Sequence, residues 1–472
     1  MKQRFTMAGV FTLSLVILTA NSYAAVKDGS TCTKVGMTTK SASVKYICTK
    51  LGKKLVWKAV QTNMSPQTQV VPSPTPTPSV SASSTPSPTP TPSANPTPTR
   101  APINITDISN FKSISYCQIR QTYSNYFGTG FGFPLSNFRL KNVGQVRVLL
   151  LYVDFTDIKA DDDPAEDSNT FIPKFIEFYQ QNSYGKLKFV VDTYPTYLHL
   201  NKPSSSYGMN VWGGGDTYQY WKDGLAAGDR VTDVSKYDLV GVIPPKNITS
   251  IIYGPSFPMP PQNDSGKVSG GIVFNGLVGG SDQRTRFTRW LWMAHEVGHD
   301  LGMEHQYSYD GEAIWDVMNN VYLITAPELL GWNRFRLGWL DQSGVKCLDK
   351  SDVSNTPINV LLTPIESQDS GYKLTLIKIN ETQVLAVESR RILGFDTLDG
   401  QNDLAGVLVY LVDTSKDSNQ NAIKVVPGPI LRKASGNRTA GTSHIGESVN
   451  YQGITIEFLA SDGNGDYISI HQ

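Results

Sequence analysis

Along the chain, apolar and polar positions fall into four textures. An apolar run, Phe11–Ala20, follows Lys2 and Arg4 and leads to the small-x-small triplet Ser22-Tyr23-Ala24. The run is too short to span about 30 Å of hydrocarbon, so residues 1–24 read as a cleaved export signal. Residues 25–58 carry scattered apolar groups (Tyr46, Leu55, Val56, Trp57) around Cys32 and Cys48. Residues 59–102 lack periodicity: from Ser65 to Pro102 twelve prolines mix with Ser and Thr, and the first charge is Arg100. This predicts an extended, mostly polyproline II linker reaching up to about 100 Å. Periodicity resumes near Ile103. Val146–Phe155, Lys186–Val191, Leu239–Ile243 and Gly271–Phe274 read as strands, with helices over Pro173–Gln181 and Arg289–Leu301. Thr325 and Glu328 flank Pro327 in a capping-box pattern that predicts a helix running to about Leu337. Residues 103–347 therefore read as an α+β domain, a twisted sheet plus helices. After Cys347 come short strands split by turn residues: Tyr372–Ile379, Val384–Glu388, Val407–Val412, Ile423–Val426, Ile454–Leu459 and Tyr467–Ile470. That texture predicts an all-β, sandwich-like domain over 348–472.

Charge changes the picture at one end only. The 472 residues carry 42 Lys+Arg against 41 Asp+Glu, which excludes a globally basic nucleic-acid binder and leaves no nucleic acid as a specific target. Residues 25–58, however, hold eight Lys against Asp28, whereas beyond residue 58 there are 32 Lys+Arg against 40 Asp+Glu. The basic head is expected to meet an anionic cell-envelope polymer, or merely to keep a spacer soluble. Cys32 and Cys48 enclose fifteen residues, a spacing that suits a disulfide staple in an exported chain or half of a zinc site. No later segment reaches 18 consecutive apolar residues. With the signal removed, no transmembrane segment is expected, and the chain should be secreted, extracellular or wall-associated.

Three of the six histidines lie in HEVGHDLGMEH, His295 to His305. On a helix, His295 and His299 project from one face about 40° apart around the axis, so two imidazoles can grip one metal ion. Gly302 lets the chain leave the helix with φ > 0 and bring His305 round as third ligand. Three neutral nitrogen ligands leave a position open on zinc, where bound water becomes a nucleophile near neutral pH. Glu296, beside the first ligand, then acts as general base and passes the proton to the leaving amine. One catalytic Zn2+ and a protein or peptide substrate follow.

These residues carry a resemblance. HExxHxxGxxH followed by a methionine turn resembles the metzincin zinc peptidases, with Trp315-Asp316-Val317-Met318 as the turn and Met318 thirteen residues beyond His305. The resemblance implies that Met318 forms an apolar floor under the metal. Ser183–Leu187, Gly331–Leu340 (GWNRFRLGWL) and Gly406–Asp413 (GVLVYLVD) are similar to the immune-inhibitor-A-like secreted metallopeptidases and, more loosely, the gametolysin-like ones. The third ligand in immune-inhibitor-A-like proteins is often Asp, where this chain has His305, and Gln306 follows it. Some metzincins place a Tyr two residues after the Met; here Asn320 stands there, and Tyr322 is the nearest tyrosine for a zinc or oxyanion contact. The resemblance also implies that the strand at Gly270–Phe274 borders the cleft as an edge for extended substrate, the alternative being a paired interior strand.

Other residues keep two readings. Cys117 and Cys347 either close the domain as a disulfide, or Cys117 is a pro-segment thiol that blocks zinc. Asp161, Asp162, Asp163, Glu166 and Asp167, and separately Asp462, Asn464 and Asp466, could hold Ca2+ or be solvated loops. The fold expected overall is a metzincin-like catalytic domain with a sandwich behind it. The competing function is a non-catalytic secreted or wall-associated binding protein that retains a zinc site.

Overall fold

The computed structural model describes residues 30–31, 38–41, 44–51, 54–59, 102–107, 109, 111–122, 128–137, 139–209, 215–248, 256–257, 270–272, 289–306, 314–319, 326–396, 404–432 and 440–472. The expected signal and linker, Cys32, Asn320 and Tyr322 lie outside them. The chain forms two compact units, Met1–Pro96 and Thr97–Gln472. In the first, β1 (Thr38–Ser41), β2 (Val44–Leu51) and β3 (Lys54–Ala59) make an antiparallel sheet over a core of Cys48 and Trp57, with Leu55 packed against it. So few buried apolar groups are a small core, and Cys48 is disulfide-bonded.

The larger unit opens on a mostly parallel sheet. It comprises β4 (Gly144–Asp154), β5 (Leu187–Thr193), β6 (Leu198–His199), β7 (Leu239–Ile243), β8 (Ser256–Phe257) and β9 (Gly270–Ile272). Their order is β5-β4-β7-β9-β8, with β6 also on β4 and only β8 antiparallel. Helices α1 (Pro164–Asn169), α2 (Ile172–Asn182), α3 (Thr217–Asp229) and α4 (Arg289–Asp300) pack around it. One core cluster joins Val146, Val148 and Leu150 of β4 to Phe175, Phe178 and Tyr179 of α2 and Leu291 to Val297 of α4. Leu149, Leu151 and Val153, pointing to the other side of β4, pack with Trp221 and Leu225 of α3. Both faces are covered, which is why β4 and β7 read as continuous apolar runs.

The C-terminal strands form two stacked sheets. One has the order β10 (Val345–Asp349), β12 (Leu374–Lys378), β13 (Gln383–Arg390), β14 (Gly406–Asp413), β15 (Ile423–Val425), with β16 (Thr442–Ser443) also on β14. The other runs β11 (Ile358–Leu362), β19 (Gly465–His471), β18 (Ile454–Asp462), β17 (Ser448–Tyr451). Between them lie Leu385, Val387, Val407, Val409, Val360, Ile456 and Ile468. The opposite face of the first sheet is equally buried: Leu376, Ala386 and Tyr410 pack on Cys117, Trp315, Trp332 and Phe335. β14 is accordingly buried at all eight positions. The boundary expected at 347/348 falls inside β10, and Cys347 is disulfide-bonded to Cys117.

The capping-box helix begins later than its sequence pattern predicts. Helix α5 spans Gly331–Arg336 behind Leu330, with no side-chain cap, and Glu328 is instead spent inside the protein. Its carboxylate binds Arg334 at 2.7 Å, both side chains having no exposure. Nearby, Arg390 meets Asp396 at 2.7 Å, Glu388 at 3.0 Å and Glu366 at 3.3 Å, all fully buried. Removing one partner of such a pair leaves a naked buried charge and costs about 3–5 kcal/mol. The three stretches that carry the family resemblance meet here. Arg334 donates to the Tyr184 hydroxyl at 3.0 Å, Lys186 to the Trp339 carbonyl at 2.8 Å, and the Trp332 N–H to the Tyr410 hydroxyl at 3.0 Å.

A chain ending at Cys347 would expose Trp332, Phe335 and Cys117 and lose the partners of Arg334's neighbourhood. Residues 103–347 alone are expected to give a near-UV circular dichroism spectrum without the sharp aromatic bands of residues 103–472; equal spectra would show that the sandwich is dispensable.

Candidate metal centre

Helix α4 is fixed at both ends before it carries any chemistry. At its start Arg289 makes a two-pronged ion pair with Asp167, and both are buried. In its middle the Tyr179 hydroxyl donates to the Ala294 carbonyl at 2.5 Å. At its end Gly302 has φ +95°, with its N–H bonded to the His299 carbonyl at 2.8 Å and the Met303 N–H to the Gly298 carbonyl at 3.0 Å. That pair of bonds is the Schellman stop, and it turns the chain so that His305 faces back.

His295, His299 and His305 are brought together. Their ligand atoms lie within 4.8 Å of one another, the only such group of His, Cys, Asp or Glu among the described residues. The Nε2 atoms of His299 and His305 are 2.9 Å apart. The Nδ1 of His295 lies 2.7 Å from the Val317 carbonyl and that of His299 lies 2.9 Å from the Met303 carbonyl. A carbonyl only accepts, so each Nδ1 carries the proton and each Nε2 presents a lone pair. Burial, and then the neighbouring imidazoles, hold His295 and His299 well below the ordinary histidine range, so both stay neutral. Neutral nitrogens converging on one point repel unless a cation lies between them, and the set suits zinc. Glu304 supports the third ligand: its carboxylate accepts the His305 N–H at 2.9 Å and the Thr129 hydroxyl.

Glu296 is buried beside the triad and is not part of it. Its Oε2 accepts the N–H of Ser256, in β8, at 2.9 Å. Burial pushes its carboxyl up to about 8, against the pull of that N–H. A dication held by the adjacent histidines would act in the opposite direction.

Met318 is fully buried against α4. A side chain on Gly298 would put its Cβ 2.3 Å from the Met318 Sδ, so the helix keeps a glycine where the methionine lies across it. Of the two readings of the strand at Gly270–Phe274, the paired interior one holds for Gly270–Ile272, which is parallel to β7 and antiparallel to β8; among the described residues β8 is the outer strand. Cys117 cannot be a zinc-blocking thiol while joined to Cys347, and it is fully buried in the core against the C-terminal sheet.

Five of the carboxylates considered for calcium have partners within the protein. Asp163 caps α1, and Asp167 is held by Arg289, Lys246 and the Tyr152 hydroxyl. Asp162 accepts from Tyr197 at 2.7 Å. Asp466 pairs with Arg391, while Asp462 closes its turn on the Asn464 N–H at 2.7 Å and the Tyr467 hydroxyl at 2.9 Å. Sequence reasoning missed Ser256 and Thr129 and the supporting roles of Glu304, weighed only as a substitute ligand, and Asp316, seen only as part of the turn. Of these only Asp316 carries a local signal, an Asp two residues ahead of the Met whose N–H it accepts at 2.8 Å.

No protein-family model matches the chain, and no curated protein matches it by sequence. Among solved structures, the archaemetzincin of Methanopyrus kandleri matches with 16% identity and a TM-score of 0.24, over 41% of this chain and 94% of that one. No helix among the described residues is long and apolar enough to cross a membrane.

With three donors converging and Glu296 outside the set, His305→Ala is expected to weaken zinc binding at least about tenfold, as loss of ligand geometry does. Competition against a chromogenic chelator measures this; unchanged affinity would place the third ligand elsewhere.

Proposed function

We infer that the chain is an exported zinc-dependent endopeptidase of metzincin type, most similar in its motifs to the immune-inhibitor-A-like group. The observation that carries this is the pairing of a convergent histidine triad, two of its members buried and neutral, with a carboxylate that lies beside it but is not one of its members. A zinc ion held by His295, His299 and His305 would supply a Lewis acid and an acidified water. The residues of the chain do the rest. Glu296 is anchored through Oε2 by the Ser256 N–H, which leaves Oε1 to take a proton from water and return it to the leaving amine. β8 borders Glu296 and, among the described residues, has a strand on one side only. An extended peptide can add to such an edge through main-chain hydrogen bonds, whatever its side chains.

A purely structural zinc site is normally closed by a fourth protein ligand and has no use for Glu296, so the catalytic reading outweighs a binding protein that kept the metal. Glu296→Ala should keep one zinc per chain and lose about 10²–10⁴-fold in casein hydrolysis, the usual weight of a general base. Full activity in that variant would refute the role; zinc loss would move Glu296 into the ligand set.

The basic head belongs to the same reading as a tether. Its lysines are expected to hold anionic envelope polymers by a salt-screened attraction. Deleting residues 25–102 should leave cleavage of a short peptide unchanged and reduce retention on envelopes at low salt. Equal retention at about 0.01 M salt, where screening is weakest, would rule the tether out.

A further inference from the structure

We propose that Asp316 is a positioning residue that ties all three metal ligands to the C-terminal sheet. Asp316 is fully buried and holds φ +69°, a backbone conformation that a side chain other than glycine rarely adopts unless its surroundings fix it. What fixes it is its own carboxylate. Oδ1 accepts the Met318 N–H at 2.8 Å, and Oδ2 accepts the Leu330 N–H at 2.8 Å and the Asn333 Nδ2 at 2.9 Å. Its N–H donates to the Ala326 carbonyl at 3.0 Å.

The turn so held addresses each ligand in turn. Val317 supplies the carbonyl that sets the tautomer of His295. Met318 lies against Gly298, the residue before His299. The Met318 carbonyl accepts the N–H of Gln306, the residue after His305, at 3.0 Å. On its far side the same carboxylate grips the start of α5, which the sheet grips too. The Gly331 N–H donates to Glu388 Oε2 at 2.7 Å, and the Tyr410 hydroxyl, itself bonded to Glu388 at 2.8 Å, accepts the Trp332 N–H. Successive N–H groups of one segment therefore go to Asp316, then to β13, then to β14. A displacement in the sheet reaches His295 through three hydrogen bonds, Glu388 to Gly331, Leu330 to Asp316 and Val317 to His295.

The proposal rests on the reading of the triad as a zinc site, and its test separates the two. Zinc affinity is measured by chelator competition, and the ligand field by the visible spectrum of the cobalt(II)-loaded protein, on the full chain. Asp316→Asn puts an amide donor against an N–H and should weaken zinc by about 10–100-fold, with an altered cobalt spectrum. Asn333→Ala, which removes one of the three bonds, should shift affinity the same way by a few-fold. Val360→Ala, in the core between the two C-terminal sheets, is the control: it should lower the melting temperature and leave zinc affinity and spectrum unchanged. If wild type binds no zinc, the reading of the triad falls and the proposal with it. If wild type binds and Asp316→Asn binds equally well, only the proposal falls. Should Asp316→Asn fail to fold, Asn333→Ala decides, and wild-type affinity there overturns the proposal.

Discussion

Three imidazoles aimed at one point are the constraint around which the larger unit is arranged. Their ring nitrogens are crowded, with the Nε2 atoms of His299 and His305 2.9 Å apart. Two of the imidazoles, His295 and His299, are held by main-chain acceptors: the carbonyls of Val317 and Met303 fix the protons on the far nitrogens. Those carbonyls lie on a turn and a helix stop, and each of these is secured by residues distant in sequence. The stability of the site is thus borrowed from packing elsewhere, the usual arrangement where a binding geometry must be kept against its own electrostatics.

The six-stranded C-terminal sheet is where much of that support originates. A sandwich that merely hangs from a catalytic domain has one inner face and one wet face. Here the second face is dry as well, covered by Trp315, Trp332, Phe335 and the segment around Cys117. The buried ions of Glu328, Arg334, Glu366, Glu388, Arg390 and Asp396 lie in the same region. Such networks contribute little net stability against an apolar core, but they penalise any wrong registration of the two parts because a misplaced charge is left unpaired. The pairing of sheet and site is therefore specified by charge geometry as well as by apolar contact.

The sequence made the metal centre legible because its parts are local. His295, Glu296 and His299 share one helix, and Gly302 ends it, so spacing alone brings three donors together. Strands with strong patterns were equally readable, β4 and β7 as apolar runs and β12 to β15, β18 and β19 as short strand segments split by turn residues. Long-range partnership was not readable. Glu328 has the spacing of a capping residue but spends its charge on Arg334, and Asp167 looks like a calcium ligand until Arg289, 122 residues away, occupies it. β8 is two residues long and has no periodicity to detect, so the resemblance could point only to β9 as the strand bordering the cleft. Asp316 could be seen to begin a turn; that the same carboxylate also reaches Leu330 and Asn333 depends on the fold.

The link between Cys117 and Cys347 encloses the active helix, the methionine turn and every strand of the parallel sheet within a span of 230 residues. Exposed turns of any folded chain are where proteases cut. A single backbone cut anywhere inside that span produces two pieces that remain one covalent molecule. Nicked chains would therefore stay intact in size until a reductant is added, and a maturation cut inside the loop could release nothing. Any segment released by a single cut has to lie before residue 117 or after residue 347.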